Sequence, residues 1–467
     1  MSSSLLRLSL SVAMGLVLAA GAASAQSAPK FPAVLAGHAA VPADTLIAPP
    51  ADAGAFFATA GKFTAPDRKR VEAVGTIPTT TFTADPKAPR SSGVSLPVKG
   101  QAVQGFSGIQ SRGNGLFYIL TDNGFGGKAN SPDALLMVHR VQTDWATGKA
   151  DRQDTRFLHD PDKKIPFAIV NENTDKRYLT GADLDPESIA FVGNRLFIGD
   201  EFGPYIIEVD QAGKVLAFHE TMVDGKPARG PDHYRNGALP NVPGAVSFEV
   251  RRSRGFEPMA ASPDGQFLYP AFEGPIFNAE TKAPEAKAPE AKDGKQFVRI
   301  LQFDVAKGAY TGKSFKYLLE DNANVLGDMA MIDGDTALVI ERDDTTEGSK
   351  AQACAGEPKL DCFNKPAAFK RVYKIDLAAA DAEGFVKKVG YIDLTDIDNP
   401  NKLAKIGPNE AKFVLPHLGP EGVAIVDADH IALTNDNNLP YSVGRTVDKA
   451  DDNEITLLKV TELLRAK

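Results

Sequence analysis

Acidic residues recur at matching positions in several segments of this sequence. Three segments open on a glutamate that is followed, two places later, by an apolar residue; these are Glu187, Glu257 and Glu421. Ser107 and Gly327 occupy the corresponding position in two further segments. Carboxylates gathered at one point repel each other unless a cation balances their charge. Because oxygen ligands suit Ca²⁺ and Mg²⁺, the recurrence indicates a divalent-cation site, with Ca²⁺ expected and Mg²⁺ as the alternative.

A second set of polar residues ends the strand-like run that follows each opening position. Its members are Asp122 and Asn123, Asp200 and Glu201, Glu273, Glu341 and Arg342, and Asn435 and Asp436. If both sets face one mouth of a channel, the expected metal ligands are Asp122, Glu187, Asp200, Glu201, Glu257, Glu273, Glu421 and Asp436. The alternative for any single acid is structural, because acidic and amide side chains at strand ends often form turns or cap backbone N–H groups.

Basic residues stand close to these acids in the sequence. Arg254 precedes Glu257 by three places, and Arg342 follows Glu341 directly. A guanidinium fork matches the oxygens of a phosphate group, so we expect Arg254 and Arg342 to bind a phosphorylated substrate.

Four residues are candidates for catalysis itself. The glutamates of the first set would hold the metal or support an attacking water, and His417 would act as general acid or base. A lone histidine is more often structural, and that interpretation stays open for His417. The four candidates are Glu187, Glu257, Glu421 and His417.

The elements that must position these residues are short strands. After Glu187, residues 188–192, 195–199, 205–209 and 215–220 read as four strands separated by turn residues. Four antiparallel strands in succession make one propeller blade, and five segments follow this pattern. We therefore predict an all-β fold, a β-propeller of about five four-stranded blades, with a sixth blade or two unrelated β domains as alternatives.

The last segment runs out before its fourth strand. We expect the ring to close by pairing of the N- and C-terminal segments, with residues 70–77 supplying the missing outer strand. Pairing of this kind would also hide a free sheet edge.

The N-terminus and the composition bound the domain organisation. Arg7, the apolar run that follows it and the Ala23-Ser24-Ala25 site predict a signal peptide over residues 1–25, hence export to the periplasm or beyond. Residues 26–60 read as an irregular leader and 61–467 as the propeller domain, with insertions near 221–250, 275–295 and 344–368. No later segment is apolar enough to span a membrane.

Charge and cysteine content exclude some partners and predict one crosslink. A formal net charge of -8 argues against nucleic-acid binding, which needs a basic surface. The two cysteines, Cys354 and Cys362, are close together and would form a disulfide in an oxidising compartment.

Three motifs resemble a known family. Gly199-Asp-Glu-Phe-Gly-Pro204, Gly255-Phe-Glu-Pro-Met-Ala260 and Gly419-Pro-Glu-Gly-Val-Ala424 look like the phytase-like family described as "esterase-like activity of phytase", over roughly residues 101–436. The resemblance implies an exported bacterial protein with a propeller-like β fold and phosphoesterase activity. On matching positions it points to Glu187, Asp200, Glu201, Glu257, Glu421 and Asp436.

The sequence thus favours a metal-dependent hydrolase that acts on a small-molecule phosphate ester, and we expect a monomer. One alternative is a lactonase or carboxyl esterase built on the same metal-centred plan. Another is a non-enzymatic, metal-stabilised binding or scaffold propeller, because the fold alone does not decide function. The chain contains no G-x-S-x-G elbow, no phosphate-binding P-loop motif and no H-E-x-x-H motif.

Overall fold

The computed structural model describes residues 28–236, 248–277 and 288–467. The predicted signal peptide, 1–25, lies outside the described residues, as do parts of the predicted insertions near 221–250 and 275–295. The described secondary structure is almost entirely β. Its main elements are five four-stranded antiparallel blades, here called blades 1 to 5 in the chain order of their innermost strands; a parallel pairing of Ala40 with Lys149 joins the outer strands of blades 5 and 1 into one sheet.

The strands of each blade follow one another from the centre outward. Blade 1 holds Phe106–Ser111, Leu116–Thr121, Met137–Asp144 and Lys149–Phe157; blade 2 holds Pro186–Val192, Arg195–Asp200, Tyr205–Val209 and Val215–Glu220; blade 3 holds Phe256–Ala261, Phe267–Phe272, Lys295–Asp304 and Ala309–Leu318; blade 4 holds Asn324–Met331, Thr336–Asp343, Lys370–Asp376 and Lys387–Asp393; blade 5 holds Gly419–Ile425, His430–Asp436, Asn453–Lys459 and Val34–Val41.

The innermost strands form a closed ring. Each contacts the innermost strand of the next blade, and that of blade 5 returns to that of blade 1. The all-β propeller prediction is confirmed, and among the described residues the number of blades is five. Buried apolar residues fill the space between blades, as Phe197 of blade 2, Met259 of blade 3 and Tyr317 of the same blade do in one cluster.

The ring closes through its two termini, but not through the strand that the sequence suggested. Val34–Val41 is the outer strand of blade 5 and pairs antiparallel with Asn453–Lys459, for example at Ala39 and Ile455. Residues 70–77 are mostly exposed and lead into a separate hairpin, so the prediction for them was wrong. The strand that closes the ring contains three alanines and one glycine, so its sequence reads as an irregular leader. Burial of its small side chains against blade 5 makes it a strand.

The remaining elements are small and lie between or outside the blades. They are the strand pairs Leu46–Ile47 with Gln101–Ala102, Thr59–Ala60 with Val98–Lys99, Ile77–Thr80 with Ser91–Leu96, Met222–Val223 with Lys226–Pro227, and Ile397–Asp398 with Lys412–Phe413, the edge strand Ala291–Lys292, the 3₁₀ turns Ala55–Ala58 and Lys350–Gln352, and the helix Thr461–Arg465. Cys354 and Cys362 form the predicted disulfide. Within the described ranges, no helix has the length and apolarity that a membrane crossing requires.

Candidate metal and substrate site

A β-bulge at the same place in three innermost strands aims a glutamate at the propeller axis. Strand pairing shifts register on either side of Glu187, of Glu257 and of Glu421. The innermost strands of blades 1 and 4 shift at the equivalent place, around Ser107 and Gly327. A bulged residue is left out of the ladder and its side chain is re-aimed. The recurring glutamates are therefore held by a recurring backbone irregularity.

The second strand of each blade supplies a second ring of side chains. In blade 2, Asp200 is the Cα partner of Pro186, the residue just before the bulge. In every blade, the residue that follows this partner position lines the central cavity. The residue at the partner position itself points elsewhere, because side chains alternate along a strand. The ring consists of Asp122, Glu201, Glu273, Arg342 and Asp436.

These two rings enclose a strongly acidic cavity of about 220 Å³. Nine carboxylates and two arginines line it, which leaves a formal excess of seven negative charges. The carboxylates are Asp122, Asp185, Glu187, Glu201, Glu257, Glu273, Asp344, Glu421 and Asp436, and the arginines are Arg254 and Arg342. We call this space the acidic cavity.

Two overlapping sets of oxygens have the spacing of metal ligands. One oxygen each from Glu187, Glu257 and Glu421 lie within 4.8 Å of one another, and so do oxygens of Asp185, Glu187 and Glu201. Glu187 belongs to both sets. Only oxygen donors are present in them, and such donors suit Ca²⁺ or Mg²⁺ better than softer metals.

Glu257 places an oxygen without a hydrogen-bond partner in the acidic cavity. Its side chain is buried, and Oε1 has no hydrogen-bond partner among the described residues. An unpaired buried acceptor is costly, and a cation would satisfy it. The donor chemistry and the unpartnered oxygen therefore both fit a divalent cation.

Burial and mutual repulsion perturb the acids of the cavity. Burial, followed by the charges of Glu421 and Glu273, raises the pKa of Glu257 well above its usual range. Burial, followed by the charges of Glu257 and Asp185, does the same to the pKa of Glu187. Burial raises the pKa of Glu421 to about 7, against the opposing effect of Arg342. Clusters of perturbed groups in a cleft are typical of functional sites.

Two arginines offset part of this negative charge. Arg342 donates to Glu421 Oε1 at 2.6 Å and to Glu273 Oε1 at 3.4 Å. Arg254 donates to Glu273 Oε2 at 2.6 Å and also to Asp344. Glu273 thus binds both guanidinium groups. The sequence had suggested the two arginines only because they stand beside acids.

His417 is not part of the acidic cavity. Its Nδ1 lies 2.9 Å from Asp451 Oδ2 and its Nε2 lies 3.3 Å from Glu454 Oε2, in a fully buried position. Burial alone would lower its pKa, but the charges of Asp451 and Glu454 raise the pKa to about 9. The structure therefore places this candidate in an ionic network inside blade 5.

Asp200 also lies behind the cavity wall. Its two carboxylate oxygens accept the backbone N–H groups of Asp185 and Gly203, each at 2.8 Å. Asp200 thereby fixes the backbone just after Glu201 and the backbone at Asp185, and Glu201 and Asp185 both line the cavity. Asp200 therefore supports the wall of the acidic cavity but does not line the cavity itself.

Three further carboxylates carried weak sequence signals: two line the acidic cavity, and the third is buried outside its lining. Asp185 lies two places before Glu187 and accepts from Asn123 Nδ2 at 2.7 Å. Asp344 begins a segment that reads as an insertion. Asp328 follows the glycine that replaces glutamate in blade 4, and its buried carboxylate accepts the N–H groups of Met329 at 2.8 Å and of Val423 at 3.3 Å.

The two rings fall within a region shared with known proteins. The family model described as phytase-like, "Esterase-like activity of phytase", matches residues 101–439, most of the chain. This chain belongs to the phytase-like family. The match includes Arg254, Arg342 and every carboxylate of the acidic cavity, but it excludes the closing strands Val34–Val41 and Asn453–Lys459.

Comparison with solved structures gives distant similarities only. Glutaminyl cyclase from Myxococcus xanthus is 10% identical with a TM-score of 0.34, over 77% of this chain and 93% of that one. A luciferin-regenerating enzyme is 9% identical with a TM-score of 0.31, over 76% and 92%. The Dos1 propeller is 9% identical with a TM-score of 0.28, over 79% and 71%. No curated protein matches this phytase-like chain.

Proposed function

We propose that this protein is an exported, metal-dependent hydrolase of phosphate esters. The observation that carries the proposal is the presence of Arg254 and Arg342 in the same cavity as the carboxylates around Glu257 Oε1. Acids alone would bind a cation, and guanidinium groups beside them add the recognition that a phosphate group requires. Hydrolysis of a lactone or carboxyl ester needs fewer cationic groups, so the two arginines favour the phosphate ester.

Each side chain has a defined part in this proposal. Glu187, Glu257 and Glu421 would hold a divalent cation, Ca²⁺ in the first instance. When bound, such a cation polarises a phosphoryl oxygen and lowers the pKa of water. Arg342, fixed by Glu421 and Glu273, would bind and orient the phosphate group. We assign no proton transfer to His417, because it lies outside the cavity lining.

One observation favours a second candidate, a metal-stabilised binding propeller without turnover. Both arginines are already paired with carboxylates, Arg342 with Glu421 and Arg254 with Glu273. Ion networks of this kind also occur as purely structural features. In that case a cation would bind and stabilise the protein, but no ester would be hydrolysed.

Export is supported by the predicted signal peptide over 1–25 and by the disulfide between Cys354 and Cys362, which suits an oxidising compartment. Sequencing the N-terminus of the exported protein tests this part, and we expect Gln26 as the first residue. A mature chain that still begins at Met1 would contradict it.

The activity is tested with a substrate panel. The mature chain is assayed on a phosphomonoester, a phosphodiester and a carboxyl ester, in Ca²⁺ and in chelator, beside Arg342→Gln and the control Arg195→Gln on the blade 2 hairpin. We expect phosphate release that requires Ca²⁺ and falls by about 10²-fold in Arg342→Gln, as for loss of one charge-stabilising group. Release of carboxylate only, unaffected by Arg342→Gln, would favour the esterase alternative. Calcium binding without any turnover would favour the binding propeller.

A further inference from the structure

One aromatic side chain lies at the opening of the acidic cavity. Among the described residues that line this cavity, Phe82 is the only aromatic one, and it is 53% exposed. A single exposed apolar side chain needs no explanation by itself. Other large exposed apolar residues, such as Val74 and Leu360, do not line the cavity. Phe82 is therefore distinguished by its place and by the contacts that hold it.

Hydroxyl groups on both sides of Phe82 fix its position. Phe82 follows the hairpin strand Ile77–Thr80. Thr81 donates to Glu347 Oε1 at 2.9 Å, and Thr83 donates to the same oxygen. Because both threonines point toward the interior, Phe82 between them is directed outward, in agreement with its exposure. Glu347 is 1% exposed, so the group that anchors this turn lies inside the protein.

The same carboxylate anchors the segment that packs against Phe82. Glu347 Oε2 accepts the backbone N–H of Val443 at 3.2 Å, two places after Tyr441. The ring centroids of Phe82 and Tyr441 are 4.7 Å apart, with an angle of 31° between the ring planes. Arg90 Nη2 lies 3.0 Å from Glu347 Oε1 and balances its charge. One buried ion pair therefore supports the segments that carry both rings.

The tip of the Phe82 ring approaches the loop after the second strand of blade 1. A Cβ placed on Gly126 would lie 3.7 Å from Phe82 Cζ, and Gly126 also lines the cavity. One part of the ring contacts Tyr441, yet more than half of the Phe82 surface is open to solvent. That open surface borders the same space as Glu257 and Arg342. A planar group that leaves the cavity at this point would stack on the ring.

Volume and lining leave the organic part of an ester at the opening. At about 220 Å³ the acidic cavity is smaller than the roughly 300–1,000 Å³ of ordinary small-molecule sites. Its lining is mostly charged or polar, so it suits cations and one phosphate group but not an apolar group. The rest of an ester then lies beside the exposed ring of Phe82. Aromatic rings stack favourably, and a ring that is already held in place loses little entropy on binding.

We infer that Phe82 is a specificity-determining residue that stacks on a planar aromatic ring in the alcohol part of the phosphate ester. The inference rests on the proposed phosphoesterase function, because it assumes that the phosphate group occupies the acidic cavity. It narrows the substrate class to phosphate esters that carry an aromatic ring close to the phosphate. Phe82 and Tyr441 both lie outside residues 101–439, so this specificity belongs to the segments that flank the region matched by the family model.

Phosphonates test the stacking without requiring turnover. Calorimetry on the Ca²⁺-loaded mature chain compares methylphosphonate with phenylphosphonate, benzylphosphonate and 2-phenylethylphosphonate, which place the ring at increasing distances from phosphorus. We expect the best aryl compound to bind about tenfold or more tightly than methylphosphonate. In Phe82→Ala the ratio of the two affinities should fall to near one, whereas Phe82→Tyr should keep it because a ring remains.

Two controls separate stacking from general apolar contact. Val74→Ala shortens another exposed apolar side chain, one that does not line the cavity, and should keep the wild-type ratio. The cyclohexyl analogue of the best aryl compound has a similar size but no flat ring. We expect this analogue to bind less tightly than the aryl compound.

The outcomes distinguish the role of Phe82 from the proposed function. A ratio near one in the wild type, an unchanged ratio in Phe82→Ala, or equal affinity for the aryl compound and its cyclohexyl analogue would overturn the assignment of Phe82. A Phe82-dependent preference for aryl compounds in a protein that hydrolyses no phosphate ester would support the ring contact and refute the phosphoesterase. Failure of every phosphonate to bind would contradict both.

Discussion

Replacing Glu257 with glutamine should stabilise the metal-free protein. Carboxylate oxygens of Glu187, Glu257 and Glu421 lie within 4.8 Å of one another. At an effective dielectric constant of about 20, two unit charges at that distance repel by about 3 kcal/mol. Glu257→Gln removes two such pairs, and Oε1 loses no hydrogen bond because it has none among the described residues. Since protonation already relieves part of the repulsion, we expect a net gain of about 2 kcal/mol.

Calorimetric melting in chelator and in Ca²⁺ measures this effect. For a domain of about 440 residues, the average entropy of unfolding converts 2 kcal/mol into a rise of about 2 °C in Tm. In Ca²⁺ the order should reverse, because the wild type gains about 2.7 kcal/mol at a hundred times Kd while the variant gains less. The variant would then be the less stable protein.

Glu341→Gln is the matched control. Glu341 is also a buried glutamate near the mouth of the channel, but it accepts from Tyr317 at 2.7 Å and from Asn324 at 2.8 Å. Loss of a well-paired buried carboxylate should destabilise the protein by about 3 kcal/mol with or without Ca²⁺. If Glu257→Gln instead lowered Tm in chelator as Glu341→Gln does, the reasoning from charge repulsion would be refuted.

Three further predictions follow from other buried charges. Because the pKa of His417 is raised to about 9, its stabilisation is complete below pH 6.5 and lost as pH rises through 9; His417→Gln should therefore cost about 3 kcal/mol near pH 6 and little above pH 10, in denaturant melts. Asp328→Asn should destabilise the protein by about 2 kcal/mol, since Asp328 accepts backbone N–H groups from two blades, and should leave calorimetric Ca²⁺ affinity unchanged. Arg342→Gln should strengthen Ca²⁺ binding about tenfold and weaken inorganic phosphate binding, because it removes a positive charge from the cavity. Parallel loss of both affinities would contradict that assignment.

The carboxylate rings were predictable because the sequence repeats them in register. Glu187, Glu257 and Glu421 occupy one bulge position, and a repeat of that kind survives in the sequence as a recurring local pattern, although the intervals between copies vary. Asp200 and Glu201 show the limit of the prediction. Both are acidic neighbours, and only the alternation of side chains along the strand decides which one faces the cavity.

Other features depended on contacts between distant segments. His417 stands four places before Glu421, which suggested a shared site, but its partners Asp451 and Glu454 come from the next part of blade 5. The closing strand Val34–Val41 lacks a marked β pattern, because its alanines and glycine suit burial more than they favour a strand by themselves. The cavity lined by Arg68, Lys128 and Asp232 joins three loops, and no local pattern signals that they meet.

One measurement tests the central claim most directly. Phosphate release from a phosphate ester is followed during a Ca²⁺ titration of the wild type, Glu257→Gln and Glu341→Gln, each checked to be folded at the assay temperature. The account predicts release that saturates with Ca²⁺ in the wild type, persists in Glu341→Gln and is lost in Glu257→Gln. Release that ignores both Ca²⁺ and Glu257→Gln would contradict a metal-dependent phosphoesterase built on this cavity.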